Sequence, residues 1–559
     1  MVKINIIQKS YHRNLVVFIV VLWTTFFVNG QSESKMVDYF SDKGYGNAVK
    51  TLQHPAGEYY NGITYVAYQG PLEDPFVAAY IHATKKWIGP FKVGESVLGK
   101  NPDEKIDNHG KPAMIIDGEG YIHVVFGGHG GLPIHGNNPL GNTHGGKMIH
   151  VVTKNPIDIS SWEVLDNIPP FGTYNQFVKM DNGDIYLFYR HGAHKSNWVY
   201  QKSTDNGRNF EPPVSIFETN HFGGYDDAWY AWFEKTAEDK IIAVYNYHKC
   251  KNGGHDGERH NGYYMVMDVA TAKWSNIEGD ELEMPITKEY ADLNTLVVDT
   301  GNKWSVRGTG AIDGNGNPHV FFYVEEDIES NQNQGSGDKE LHTFRWTGEA
   351  WVGGKTNLPK SSKGVMQVSE SNNSKMLIAY KSEDEDENVG KIIWWNKVVE
   401  DDGEVFEEAD LAIFESRKTS FLLSSLIRNA EPEAKWLAVG KKGSSDFGKM
   451  YLLGDQGAIQ RLESEANQND DGSLSIGTEN KQNSIRIYPN PSRGEFTIDL
   501  GVVDTAYYRL SNLIGQVIES GKFNTKTTLN TNHHANGIYL LELNIKGSRS
   551  IYKVIFDYF

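Results

Sequence analysis

One unit recurs through the large N-terminal part of the chain and limits what it can become. Apolar residues lead into a turn of the form Asp-x-x-Gly or Asp-Asn-Gly-Asp, and a second apolar run rich in aromatic residues follows. Met114 to Phe126, Phe177 to Phe188 and Ala311 to Phe322 are three copies, and each reads as an antiparallel hairpin. No stretch between them carries helical periodicity. Repeated hairpins separated by Gly-rich turns predict an all-β chain whose four-stranded units form a β-propeller. A parallel β-helix is the alternative, but its repeats are shorter and more regular. The propeller part, residues 31–462, suits seven blades at ~45–60 residues per blade. Eight or six stay open, because the spacing of the copies is irregular.

Two further parts flank it. Residues 1–30 read as a secretory signal peptide: Lys3, Lys9 and Arg13 precede the apolar run Leu15 to Trp23, and Val28-Asn29-Gly30 offers small-residue cleavage. That run is short for a membrane span of ~20 residues, and no later segment is apolar enough to be one. Residues 463–483, with an Asn-Gln-Asn-Asp-Asp-Gly core, lack apolar periodicity and read as a linker. Strand patterning resumes in residues 484–559, which are expected to form a small β-sandwich.

The formal charge is −18, and loss of the three signal cations takes it to −21. An acidic exported chain lacks the basic face that nucleic acid requires. There is one cysteine, Cys250, so no intrachain disulfide can form. Nothing in the sequence calls for a partner subunit, and a monomer is expected.

The hairpins bring chemistry together. In the first, opposed residue numbers add to about 237, which sets His109 against His129 at the open end. In the second they add to about 365, which sets Tyr174 against Arg190. A histidine can take a proton near neutrality, a tyrosine hydroxyl can give one, and an arginine fork binds a carboxylate. β-Elimination of a uronic acid polymer needs that set, since the proton beside the carboxylate is only weakly acidic. Hydrolysis would instead want paired carboxylates. A second cluster is His248-Lys-Cys250, with His260 ten residues on and His194 upstream. One thiolate and three imidazoles would hold a structural Zn²⁺ and clip the polar loop after Cys250, with His255 as a rival ligand. Whether Ca²⁺ also binds is not legible.

Several motifs carry resemblances. Ser203 to Phe210 matches the Asp-box turn of sialidase-like propellers, with Phe in place of Trp, and is a hint of fold alone. Ile485-Arg-Ile-Tyr-Pro-Asn-Pro-Ser492, Ser511 to Ile518 and Asn536-Gly-Ile-Tyr539 resemble the C-terminal sorting domain of type IX secretion, which implies that machinery as a partner. Asn108-His-Gly-Lys-Pro112, Val125-Phe-Gly-Gly-His-Gly130, Phe171-Gly-Thr-Tyr-Asn-Gln176, Tyr189-Arg-His191 and His248-Lys-Cys250 resemble propeller-type ulvan lyases of polysaccharide lyase family 25. That resemblance implies cleavage of an anionic algal polysaccharide, ulvan, leaving an unsaturated uronyl end. It implies His109 as base and Tyr174 as acid, His129 and Arg190 on the carboxylate, and zinc on His194, His248, Cys250 and His260. Tyr230 and Arg307 are weaker candidates for further substrate contacts. A sialidase-like hydrolase and a non-catalytic glycan-binding surface propeller are the competing expectations.

Overall fold

The computed structural model describes residues 35–467 and 486–556, apart from short interior stretches of which 99–106, 252–258 and 326–338 are the longest. The N-terminal signal segment, residues 468–483 of the linker and His255 lie outside the described residues. The described chain is almost entirely antiparallel β-sheet.

Among the described residues the large part holds seven sheets of four or more strands, taken in chain order. The second runs Ala113–Ile116, Ile122–His129, Gly145–Thr153 and Trp162–Leu165, each strand beside the next. The third repeats the plan with Thr173–Lys179, Ile185–Arg190, Trp198–Ser203 and Val214–Phe217. Second strands such as Ile122–His129, Ile185–Arg190 and Pro318–Glu325 are buried along their whole length. They have protein on both faces, which is why they read as continuous apolar runs and not as alternating ones.

The repeated turn has a specific job. Asp117 Oδ1 accepts the backbone N–H groups of Glu119 and Tyr121 at 2.9 and 2.8 Å, and Asp313 Oδ1 accepts those of Asn315 and Asn317 at 2.8 and 2.9 Å. In both turns the second carboxylate oxygen meets a buried histidine six residues on, His123 or His319, at 3.3 Å. The turn glycines Gly120 and Gly316 take φ of +88° and +87°, a conformation that costs glycine little.

The core is divided among neighbours. One apolar cluster joins the first and second sheets through Tyr65, Val77, Met114 and Val124, and another joins the second and third through Ile115, Val125, Leu187 and Val199. Further clusters link each sheet to the next, and the last joins Leu437, Val439 and Leu452 of the seventh sheet to Val66 and Ala78 of the first. Ser41–Tyr45, near the start of the chain, pairs with Phe447–Gly454 and so completes the seventh sheet. Glu58 fastens the same junction. Fully buried, it accepts the Ile116 N–H at 2.8 Å and meets Lys179 Nζ at 2.8 Å and Asn429 Nδ2 at 3.2 Å.

The tail is a separate unit, with a three-stranded and a four-stranded sheet closing on Phe496, Ile498, Leu510, Leu541, Leu543 and Val554. Two expectations need correction. A helix, Lys288–Asn294, does occur, started by Thr287, whose hydroxyl accepts the Tyr290 N–H. The first linker residues are also ordered: Glu463–Ala466 forms a helical turn, Ala466 is buried in the core, and Tyr39 donates to Asn467 Oδ1 at 2.9 Å.

Removing Glu58 leaves the buried Ile116 amide without its acceptor and the part-buried Lys179 without its carboxylate partner. Glu58→Ala is expected to cost about 3–5 kcal/mol, read as a lower urea midpoint.

Candidate active site

The open ends of the second and third hairpins meet on one face. The register Ala113↔Val125, Met114↔Val124 carries on to the turn before the strand and brings His109 against His129. Their rings stack at 3.8 Å between centroids, 11° from parallel. A residue that the motif search passed over joins them. Asp107 meets His109 Nδ1 through Oδ1 at 2.7 Å and His129 Nδ1 through Oδ2 at 2.5 Å. Burial acts to raise the Asp107 carboxyl, but its bonds to His109 and His129 outweigh this and hold it well below the usual carboxylate range. His144 lies on the far side of His129, at 4.4 Å between rings.

The first sheet buttresses this loop. Glu73 Oε1 accepts the Asp107 N–H at 2.5 Å, and Gln53 Nε2 donates to the His109 carbonyl at 2.9 Å. Burial pushes Glu73 from its ordinary 4.5 up to about 7. Asp107 stands only two residues before His109, and that short spacing was the available signal for it.

The third hairpin departs from simple register. Thr173, not Tyr174, pairs with Arg190, because Tyr174 and Asn175 form a bulge before pairing resumes at Gln176 and Phe188. Asn175 drives this bulge, since its buried amide donates to the carbonyls of Lys111 and Val125 in the second sheet at 3.1 and 2.8 Å. Tyr174 adopts a φ of 62°, a strained conformation for a bulky residue. Its ring then turns 5.5 Å from His109, stacked on Trp198 at 6.3 Å. Arg190 still meets it. The guanidinium lies 5.0 Å from the Tyr174 ring centroid and 5.6 Å from that of Tyr230. Arg190 is fully buried, and none of its three side-chain nitrogens has a hydrogen-bond partner among the described residues.

Tyr230 is buried and engaged, its hydroxyl 3.2 Å from both His194 Nε2 and Arg259 Nη2. Arg259 also stands 4.6 Å over the Tyr230 ring and is a second cation that sequence reasoning missed. Arg307 falls at a bulge in Trp304–Ile312, and its side chain lies outside the described residues.

Of the proposed zinc ligands, His248, Cys250 and His260 sit on strands, and His194 lies in the bend between Ile185–Arg190 and Trp198–Ser203. His248 and Cys250 end Ile241–Lys251, and His260 lies near the start of Arg259–Asp268, opposite Tyr247. Cys250 Sγ and His248 Nδ1 are 3.5 Å apart, the separation of two ligands on a tetrahedral zinc at about 2.0 and 2.3 Å. The His194 ring stands 5.7 Å from that of His248. Burial pushes the Cys250 thiol up to about 11, outweighing the lowering effect of Arg190, Arg259 and Lys195 nearby. The donor chemistry of these residues fits zinc. The Asp box is elsewhere: Ser203 to Asn209 forms a turn held by Ser203 and Asp205 between two outer strands, far along the sheet from the histidine pair.

Known proteins match this arrangement over most of its length. An ulvan lyase of Nonlabens ulvanivorans is 49% identical over 443 residues, covering 77% of this chain and 92% of the relative. An ulvan lyase of Pseudoalteromonas sp. (strain PLSV) is 46% identical, covering 77% of this chain and 88% of the relative. The chain belongs to the ulvan lyase family. A solved structure of a PL25 ulvan lyase bound to -[GlcA(1-4)Rha3S]- superposes with a TM-score of 0.73 at 45% identity, covering 77% of this chain and 99% of that one. Residues 139–357 match the BNR repeat-containing family, and residues 486–557 match the secretion system C-terminal sorting domain. In this ulvan lyase family member the tail therefore marks the chain for secretion or surface export. Among the described residues no helix is long and apolar enough to cross a membrane.

The raised Glu73 carboxyl has a sign that can be measured. Its native form prefers to hold a proton, so its contribution to stability is full below pH 4.5 and is lost as pH rises through about 7. Glu73→Gln should flatten the fall in unfolding free energy across that window, followed by urea titration at a series of pH values.

Proposed function

We propose that this chain cleaves ulvan by β-elimination at the uronic acid, leaving an unsaturated uronyl end. One observation carries the reading beyond family membership: a buried arginine, Arg190, stacked between two tyrosines and without a hydrogen-bond partner among the described residues. A buried guanidinium left in that state is costly unless an anion completes it. A uronate carboxylate matches its planar fork.

The chemistry follows from the neighbours. With the carboxylate on Arg190 and His129, the C5–H bond beside it becomes more acidic. His109 Nδ1 is turned to Asp107, which leaves Nε2 to take the C5 proton. The electron pair of the C5–H bond forms the C4–C5 double bond as the C4–O4 bond breaks, and the Tyr174 hydroxyl protonates the departing O4. The bulge that aims Tyr174 toward His109 supports this division, with His109 as base and Tyr174 as acid. Tyr230 contributes the ring against Arg190, and Arg307 remains a candidate contact. The hydrolase alternative would need a pair of acidic groups. Asp107, the carboxylate at the histidine pair, is already bonded to both rings.

The core clusters that run from sheet to sheet and from the seventh back to the first support a closed seven-bladed propeller. His194, His248, Cys250 and His260 would hold a Zn²⁺, which supplies structural cross-linking and no chemistry. Residues 1–30 would act as the signal for the first export step. The site is assembled within one chain, in keeping with a monomer.

Absorbance of the conjugated double bond on mixing with ulvan tests the function directly, because hydrolysis or simple binding produces none. Arg190→Lys keeps the charge but loses the fork, and should lower kcat by ~10²-fold or more. An effect on KM alone would assign Arg190 to remote-sugar binding. For the metal, purified protein should carry one zinc per chain, and Cys250→Ser should lower both zinc content and melting temperature. A metal-free chain with unchanged melting would contradict the zinc reading.

A further inference from the structure

We propose that Asp107 is the positioning residue of the histidine pair: it binds both imidazoles through Nδ1–H, which reserves both Nε2 atoms for the substrate, that of His109 to accept the C5 proton and that of His129 to meet the carboxylate. The catalytic consequence rests on the lyase reading above, whereas the tautomer assignment does not. An ionised carboxylate only accepts hydrogen bonds. Asp107 gives one oxygen to each ring, at 2.7 and 2.5 Å, so each Nδ1 must be the donor. The low carboxyl pKa that these bonds produce agrees with an ionised Asp107.

The carboxylate is itself fixed from three directions. Its oxygen Oδ1 also accepts the His109 backbone N–H at 3.0 Å. Glu73 holds the Asp107 N–H, and Gln69 Nε2 donates to the Asp107 carbonyl at 3.3 Å. The sequence Pro71-Leu72-Glu73 presents the Glu73 carboxyl from a turn in which Leu72 and Glu73 have φ of 55° and 59°, backbone strain of the kind retained at functional sites.

Two parallel imidazoles 3.8 Å apart repel one another once both are charged. One carboxylate between them offsets one positive charge and not two. An extra proton therefore belongs on one ring alone: on His129 it lets Nε2–H donate to the substrate carboxylate, while His109 accepts the C5 proton at Nε2. When the base ring gains the C5 proton, Asp107 stabilises the imidazolium that forms, as a carboxylate does behind a general-base histidine in hydrolytic triads. The neighbouring titratable groups are His144, whose own pKa is lowered by burial and by His129, and Tyr174, with Glu73 behind Asp107 and the charges of Lys111 and Asp74 acting on Glu73.

Asp107→Asn replaces an acceptor by a group that donates from one side, so one ring must turn to the Nε2–H tautomer. The expected result is a fall in kcat of ~10²-fold or more with little change in KM. The acidic limb of the kcat–pH profile should move to lower pH, because the imidazolium loses its counter-charge. Asp107→Glu, which keeps an acceptor of both protons, should recover part of the rate. A purely structural role would lower melting without moving the pH limb. Independently of activity, the full chain labelled with ¹⁵N at histidine should report protonated Nδ1 for both His109 and His129 at neutral pH, with Nε2 of His109 unprotonated, assigned with His109→Gln and His129→Gln. Nε2–H tautomers in the wild-type chain would overturn the proposal whether or not ulvan is cleaved, and so would a folded Asp107→Asn with unchanged kcat and pH profile. A wild-type chain that shows the Nδ1–H tautomers yet yields no unsaturated product would sink the lyase reading and leave the positioning role standing.

Discussion

No sheet of this molecule can bury its own faces. The second strands are apolar on both sides, so each sheet needs a neighbour on either hand, and every apolar cluster of the large part spans at least two sheets. Burial of apolar surface at ~25 cal/mol per Å² is the dominant favourable term in folding, and here it can be gained only by joining sheets side by side. The site follows from this constraint. Adjacent hairpins are pressed together with their turns on one side and their open ends on the other. The open ends carry the histidines, Tyr174 and Arg190, with His129 and Arg190 still in the ladder and Tyr174 in a bulge.

Electrostatics at that end then depends on what desolvation leaves unmet. Arg190 sits between tyrosine rings whose faces attract a cation, although that attraction does not replace hydrogen bonds. The histidine pair is the opposite case, with a carboxylate supplied from a loop and both rings committed through Nδ1. One half of the site is short of an anion and the other half already holds one. This division suits a substrate whose carboxylate must be gripped and whose neighbouring proton must be removed.

Much of this was legible in the chain because hairpin turns fix register locally. Asp117 and Gly120 specify their turn, the turn specifies which residues oppose one another, and the His109–His129 contact follows. The same arithmetic failed by one position at Tyr174. The cause is Asn175, whose partners are the carbonyls of Lys111 and Val125, 64 and 50 residues away, and leave no local trace. Asp107 and Arg259 escaped for a related reason, since an Asp near an Asn-His pair or an Arg beside a histidine looks like an ordinary loop residue until the sheets are assembled. The helix Lys288–Asn294 is too short for its periodicity to stand out. The zinc candidates came from composition, because a lone cysteine flanked by histidines stands out without any geometry.

The pairing of Ser41–Tyr45 with Phe447–Gly454 has a consequence for how such a molecule comes into being. Strands made early find their partners among the strands made last, and the pairing of Met36–Val37 with Arg461–Leu462 spans still more of the chain. Until synthesis has passed Gly454, the seventh sheet lacks a strand and the first sheet lacks a neighbour, which leaves an open edge able to pair with other chains. Such non-local pairing makes assembly slow, since a long loop must close before any contact rewards it. A growing chain of this design cannot mature piece by piece, and its period of greatest exposure to aggregation lasts almost as long as its translation.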